Sequence, residues 1–386
     1  MEAYLDYNAT TPLDPQVLEA MKPYLSRDFG NASSFHKKGQ ASRNAIEHAR
    51  ETIADYLEAE PGDIIFTSGG TEADNLAVKG TMESLKEKRN HLVVSAIEHQ
   101  AVLHTAQYLE KKGFEVSYVP SDRNGIVDLD CLKEMVCERT ALVSLMHVNN
   151  EVGTIQPIKE AARIAHDHGA LFHTDAVQSF GKLKIDLEDY GIDMMSMSAH
   201  KLCGPKGAGA LFVKKGLKVK PVTHGGHQEK NIRPGTENVA AIAGFGKALE
   251  LAAGRQKEES LRAMLLRDKL HEGLQKTVSR IHLNGDPERR IYNTLNLSFE
   301  GLDGETLLVN LDLKNIYVST GSACTAGSVE PSHVLIAMGI SEKLARAAIR
   351  FSLGRFTTEQ EIEYVLTEIP IIVSRLRKSS TQHMKD

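Results

Sequence analysis

Between about residues 15 and 255, short apolar runs alternate with stretches of helical periodicity, and this alternation limits the chain more than any other feature. The runs DIIFTS (63–68), HLVVSA (91–96), FEVSYV (114–119), ALVSLMHV (141–148), ALFHTD (170–175), DMMSMSA (193–199) and GALFVK (209–214) have the length of buried strands. A parallel neighbour is reached only by a crossover long enough to hold a helix, so strands spaced by helices predict an α/β fold on a mainly parallel seven-stranded sheet. A long helical stretch from Ala240 to Val278 then leads the chain away. Beyond it, TLNLSFE, NIYVST and AAIRFSLG alternate with helical segments at GETLLVNLDL, PSHVLIAMG and TEQEIEYVLTEIPIIVSRLR, the pattern of a smaller α+β domain. The expected division is a large domain over 15–255 and a small one formed by 1–14 and 256–386, and 386 residues suffice for two cores.

Composition narrows the function classes. Net charge is −5 and no dense Lys/Arg stripe interleaves with aromatics, so no nucleic-acid partner is expected. No apolar run approaches bilayer length, and the opening residues MEAYLDYNATTPLDP lack a basic segment followed by an apolar one. No membrane association and a cytoplasmic location are therefore expected. None of the cysteines, Cys131, Cys137, Cys203 and Cys324, pairs at metal-knuckle spacing, so no metal site is expected. Cys131 and Cys137 fall in DLDCLKEMVCERT, predicted as one helix, and read as structural.

Several segments carry residues suited to chemistry. In TSGGTEADNLAVKG a strand ends in Gly69-Gly70 and passes into a helix beginning at Thr71, which suits an anion but equally describes a turn with an N-cap. Asp175 ends a predicted buried strand in HTDAVQSFGK, where a carboxylate must meet a cation or a protonated nitrogen. An ordinary ion pair would satisfy it as well. Lys201, between a strand and the GPKGAG turn, is placed to form a Schiff base if its amine is desolvated, and His200 beside it suits hydrogen bonding better than metal binding. Together an anion site, a carboxylate for a pyridine nitrogen and a lysine are the groups that a pyridoxal 5'-phosphate (PLP) enzyme supplies. His99 follows a strand, where it could stack on a cofactor or shuttle protons. Cys324 lies among Gly, Ser, Ala and Thr in VSTGSACTAGSVEPSHV, an accessible setting for a nucleophilic thiol on a loop expected to move. Arg355, in RFSLGRFTTEQE, is a candidate for binding an α-carboxylate, with a salt bridge as the plain alternative.

In this order LDYNATTPLDPQVLEAM, FGNASSFHKKG, FTSGGTEADNLA, SAIEHQAV, HVNNEVGTIQP, HTDAVQSFGK, SAHKLCGPKGAGAL, GGHQEKNIRPGTENV, GSACTAGSVEPSHVL and RFSLGRFTTEQE resemble the cysteine desulfurases of the NifS/IscS group. These belong to the aminotransferase-like PLP enzymes of fold type I, class V. The resemblance runs nearly end to end and implies conversion of L-cysteine to L-alanine with the sulfur held as a persulfide on Cys324. It implies that Lys201 carries the cofactor, Asp175 faces the pyridine nitrogen, Gln178 the ring hydroxyl, and Gly70, Thr71, Ser198 and His200 the phosphate. It further implies that Thr236 reaches the phosphate of the other subunit of a homodimer, that His99 stacks on the ring as acid/base, and that Asn150 and Arg355 hold the substrate carboxylate. A sulfur acceptor such as an IscU-type scaffold, iron-sulfur cluster assembly, and Cys324 as a ligand of a transferred cluster complete the expectation. Selenocysteine lyase or another class V activity is the nearest alternative, and a silent sulfur-carrier or scaffold subunit the non-enzymatic one. The chain departs from the family pattern at Ala32, Pro234 and Cys203, none a proposed catalytic group.

Overall fold

The computed structural model describes residues 1–320 and 330–383. Its strands are β1 (Ala3–Tyr4), β2 (Ile64–Thr67), β3 (His91–Ser95), β4 (Glu115–Val119), β5 (Thr140–Ser144), β6 (Leu171–Asp175), β7 (Met194–Ser198), β8 (Gly209–Val213), β9 (Ile281–Asn284), β10 (Thr294–Phe299), β11 (Ile316–Tyr317) and β12 (Ala348–Ser352). β2 to β8 form one seven-stranded sheet in the order β2-β8-β7-β6-β5-β3-β4. Strands β4, β3, β5, β6 and β7 run parallel, and β8 lies antiparallel between β7 and β2. All residues of β2, β3, β5, β7 and β8 are buried, as a sheet covered on both faces requires. The edge strand β4 instead exposes Glu115.

The apolar run 141–148 is longer than its strand because Met146 and His147 leave the ladder. The Met146 amide donates to Glu98 Oε1 at 2.8 Å, and Asn149 Oδ1 accepts the amides of Glu151 and Val152 at 2.9 and 3.0 Å, turning the chain. The segment still touches β6, the Leu145 and His147 amides donating to the His173 and Asp175 carbonyls at 3.1 and 2.9 Å, but it no longer runs as a regular strand. The helix predicted through Cys131 and Cys137 is also shorter than expected: it spans Leu129–Met135, Val136 is extended, and Cys137 lies beyond its end.

Four helices place the later argument. α1 (Pro15–Ser26) starts with Pro15 and with Asp14 accepting the Gln16 amide at 2.8 Å; α2 (Lys37–Leu57) follows. α3 (Gly70–Leu85) leaves β2, and α4 (Gln100–Lys111) starts at His99. The helix Val239–Thr277 bridges two apolar cores. Its Ile242, Phe245 and Leu249 join the core beneath the seven-stranded sheet, whereas Leu266, Leu270 and Leu274 join a second core around the three-stranded sheet β12-β10-β9. Ala3 and Leu5 also enter that second core, so the chain's first residues pack against its last strands. Among the described residues no helix is long and apolar enough to cross a membrane.

The β2–β8 contact is tight at one point. A Cβ added at Gly209 would stand 2.6 Å from Gly69 Cα and 2.7 Å from the Met197 carbonyl oxygen, all backbone that cannot swing aside. Gly209→Ala is therefore expected to destabilise the fold by about 1–3 kcal/mol, read as a lower denaturation midpoint, whereas Gly254→Ala, with open space around it and ordinary helical backbone, should cost nothing.

Candidate active site

The carboxyl ends of β2, β6 and β7 converge on one region. Where β2 passes into α3, Gly69 has φ +153°, and a Cβ on Gly70 would meet Val177 Cγ2 at 2.6 Å, so both positions need glycine. The first-turn amides of α3 have no acceptor within the helix and give a concave anion site. Ser198, at the end of β7, faces the same turn: its Cβ is 3.8 Å from where a Gly70 Cβ would be, and its hydroxyl is buried without a partner. Thr71 is exposed at the rim. His200 Nδ1 lies 3.1 Å from Thr10 Oγ1, and burial, reinforced by Lys201, pushes its pKa down to about 4, so it acts as a neutral ring.

Asp175 closes β6 as a buried carboxylate. Its Oδ1 accepts the Val177 amide at 2.8 Å, yet among the described residues no cation pairs with it. Burial raises its pKa, opposed by His99, the Val177 amide and Lys201. Three residues on, Gln178 Nε2 donates to the Asn8 carbonyl at 3.0 Å. Lys201 donates to the same carbonyl and to that of Ala9 at 2.8 Å. Burial, Lys182 and Arg350 lower the Lys201 pKa to about 7 against the pull of Asp175 and Asp6, so a neutral amine is available near neutral pH. His99 caps α4, its Nδ1 accepting the Ala101 amide at 3.1 Å, which leaves Nε2 to carry the proton. The ring keeps an open face, while desolvation on its packed side lowers its pKa against the pull of Asp175.

Arg355 requires a correction. It does not stand free to bind a carboxylate: Nη1 donates to Asp14 Oδ2 at 2.8 Å and Nε to Glu259 Oε1 at 2.7 Å, and the guanidinium is buried in this network. The guanidinium that faces Lys201 belongs to Arg350 on β12. Its Nη1 donates to the Asn150 carbonyl at 3.0 Å and its Nη2 to Asp6 at 2.8 Å, while Nε is buried without a partner. Asn150 thus joins the cluster through its backbone, and its side-chain Oδ1 is also buried and unpartnered. A charged residue at the centre of the otherwise apolar AAIRFSLG strand was the available signal for Arg350. Asn8 and Asp6 also belong to the site, although nothing in LDYNATTP marks them by residue type alone.

Thr236 is exposed, and among the described residues no hydrogen bond joins it to the Lys201 cluster. Cys324 lies outside the described residues. Cys203 is buried at φ +59°, and burial pushes its thiol pKa up, which makes it a poor nucleophile.

The arrangement fits pyridoxal phosphate. A buried carboxylate without a cation suits a protonated ring nitrogen, the unpartnered Ser198 hydroxyl and the first turn of α3 suit a phosphate, and a lysine with a lowered pKa suits an aldehyde. Comparison with known proteins agrees. Residues 3–365 match the aminotransferase class-V family. The cysteine desulfurase IscS of Dictyoglomus turgidum is 49% identical over 379 residues, covering 98% of this chain and 96% of that protein. A solved NifS-like protein superimposes with a TM-score of 0.92 at 40% identity, covering 97% of this chain and all (100%) of the other. A structure of SspA in complex with cysteine gives a TM-score of 0.81 at 39% identity, covering 92% and 100%.

Arg355→Ala strands the buried Asp14 carboxylate, which keeps the Gln16 amide and, as its one cation among the described residues, Arg255 at 3.9 Å. The expected result is a stability loss of about 3 kcal/mol in chemical denaturation, with the spectrum of bound cofactor unchanged.

Proposed function

This chain belongs to the aminotransferase class-V family, and we propose that it is a pyridoxal-phosphate-dependent cysteine desulfurase that converts L-cysteine to L-alanine. The observation that carries the reading is Asp175, a buried carboxylate with no protein cation, set in the same cluster as a lysine whose pKa is lowered to about 7. Pyridoxal phosphate, when bound, supplies an electron sink for the negative charge that develops at the substrate Cα. Lys201 would carry it, Asp175 would hold a proton on its ring nitrogen, Gln178 would meet its hydroxyl, and Gly70, Thr71, Ser198 and His200 would hold its phosphate. His99, whose Nδ1 is taken by the Ala101 amide, would use Nε2 to move a proton to and from the substrate thiol.

The substrate carboxylate is assigned to Arg350 and Asn150. Arg350 Nε and Asn150 Oδ1 are both buried without partners, and an anion accepting from Arg350 would satisfy the first. The freed Lys201 amine, neutral near pH 7, then takes the Cα proton. Cys324 as thiolate attacks the substrate sulfur; the carbon–sulfur bond breaks, its electron pair stays with the carbon skeleton, and a proton completes alanine. Thiol plus cysteine become persulfide plus alanine, which balances without an external oxidant. Cys324 then passes the sulfur to an acceptor, for which a scaffold of the IscU type in iron-sulfur cluster assembly is the proposed recipient.

Two features support a homodimer. Phe29 and Phe35, flanking NASS, are 74% and 88% exposed and offer apolar surface for a second copy to cover. Thr236, exposed on its own chain, is then available to the partner's phosphate site. A cytoplasmic location is part of the same proposal.

Adding L-cysteine to the purified protein under reductant should shift its visible band and release alanine and sulfide together, and Cys324→Ala should lose the sulfide. A coloured protein inert to cysteine would point to a sister activity, and one that pyridoxal phosphate cannot reconstitute would sink the proposal. Arg350→Ala should raise KM for cysteine roughly 10–100-fold, the range for loss of charge-assisted hydrogen bonds, while the corresponding Arg355→Ala effect is on stability.

A further inference from the structure

Lys182 is a half-buried lysine to which neither the cofactor assignments nor the substrate assignments give a role. It follows Gln178 in the turn after β6 and lines a cavity of about 40 Å³ behind Lys201, together with Tyr7, Cys203, Tyr292 and Arg355. Its Nζ donates to Gln178 Oε1 at 3.4 Å, and among the described residues no carboxylate pairs with it. An ammonium half withdrawn from water without a counter-ion is disfavoured, so its position beside Gln178 calls for a reason.

The hydrogen bonds around it form a chain. With Gln178 Oε1 turned to Lys182, Nε2 must face the other way, and it donates to the Asn8 carbonyl at 3.0 Å. The same carbonyl accepts from Lys201. Lys182 thus fixes which end of the amide meets Asn8 and sits one side chain away from the Lys201 amine. We propose that Lys182 is a positioning residue: its charge holds the Lys201 amine neutral for condensation with an aldehyde, and its hydrogen bond fixes the orientation of Gln178.

The charges around both lysines favour this reading. Burial lowers the Lys201 pKa most; beyond it Lys182 and then Arg350 push the same way, while Asp175 and Asp6 pull toward the ammonium. His200, beside Lys201, is neutral, and His99 faces Asp175. Around Lys182, only Cys203 favours the charge, and burial brings its pKa down to about 8. Arg355 and Glu259 line the same cavity but are paired with each other. As pH rises, Lys201, at about 7, gives up its proton before Lys182 does. The neutral nitrogen attacks the aldehyde carbon, a carbon–nitrogen double bond replaces the carbon–oxygen one, and the oxygen leaves as water with the two amine protons.

The inference rests on Lys201 as the cofactor lysine, and the experiment separates the two. The rate at which pyridoxal phosphate condenses with the cofactor-free protein is followed by absorbance across pH, and labelling of Lys201 by acetic anhydride is followed by mass spectrometry without the cofactor. Lys182→Gln should move both midpoints to lower amine reactivity, that is to higher pH, and a midpoint displaced by a full pH step slows each reaction about tenfold on the acidic side, while Lys182→Arg should keep the wild-type profiles. Unchanged midpoints in Lys182→Gln, or in Lys182→Met if the glutamine variant does not fold, would overturn the role of Lys182. If wild-type protein never condenses with the cofactor, the proposed function fails, yet the labelling midpoints still decide the electrostatic inference.

Discussion

The site is assembled around the peptide group and side chain of Asn8. Its amide donates to Ser352 Oγ at 2.9 Å, its carbonyl accepts from Gln178 and Lys201, and its side-chain nitrogen reaches Thr294 Oγ1 at 2.9 Å and the Asn150 carbonyl at 3.1 Å. Those partners come from both cores: Gln178, Lys201 and Asn150 from the seven-stranded sheet's end, Ser352 and Thr294 from the three-stranded sheet. A single residue near the chain's start therefore ties the amine to the sheet that carries Arg350. Asn8 is buried, and because its carbonyl is shared by Gln178 and Lys201 while its side chain and Arg350 share the Asn150 carbonyl, the geometry of amine, amide and guanidinium is set in common.

Much of the fold was legible because the seven strand segments are buried on both faces, and continuous apolar runs bounded by turns announce such strands. The boundaries were less so. Residues 145–148 are as apolar as a strand and still donate two amides to β6, but Glu98 and Asn149 turn the chain out of regular strand geometry, and hydropathy does not distinguish the two. Strand order, with β8 inserted antiparallel between β2 and β7, depends on long-range pairing that periodicity does not encode.

For the site, residues next to strand ends were readable and residues in strand interiors were not. Asp175, Gln178, Ser198, His200 and Lys201 follow or close β6 and β7, where side chains gather whatever the ligand. Arg355 attracts the carboxylate role ahead of Arg350 because it sits at the end of its strand segment, a position that usually faces a ligand. The sequence holds no sign that Asp14 and Glu259, far away along the chain, would claim it. Conversely Arg350 looks like part of a strand core until Asp6 and the Asn150 carbonyl are seen to meet it.

Three buried carboxyls, Asp175, Asp74 and Glu98, influence one another, and such a group cannot keep every member ionised. Burial pushes Glu98 up to about 8, and its Oε1 accepts from Ser95 and the Met146 amide, so it stays protonated near neutral pH. Asp74 is raised well above the carboxylate range by burial and by Asp175. Burial raises Asp175 as well, but of the three it is the one that His99 and Lys201 draw back down, together with the Val177 amide. Burial thus pushes Asp175 and Lys201 toward their neutral forms together, and a partner that brings its own protonated nitrogen makes the Asp175 anion favourable without requiring a charged lysine beside it. Acid and amine are separated in role by what each faces, since desolvation acts on both.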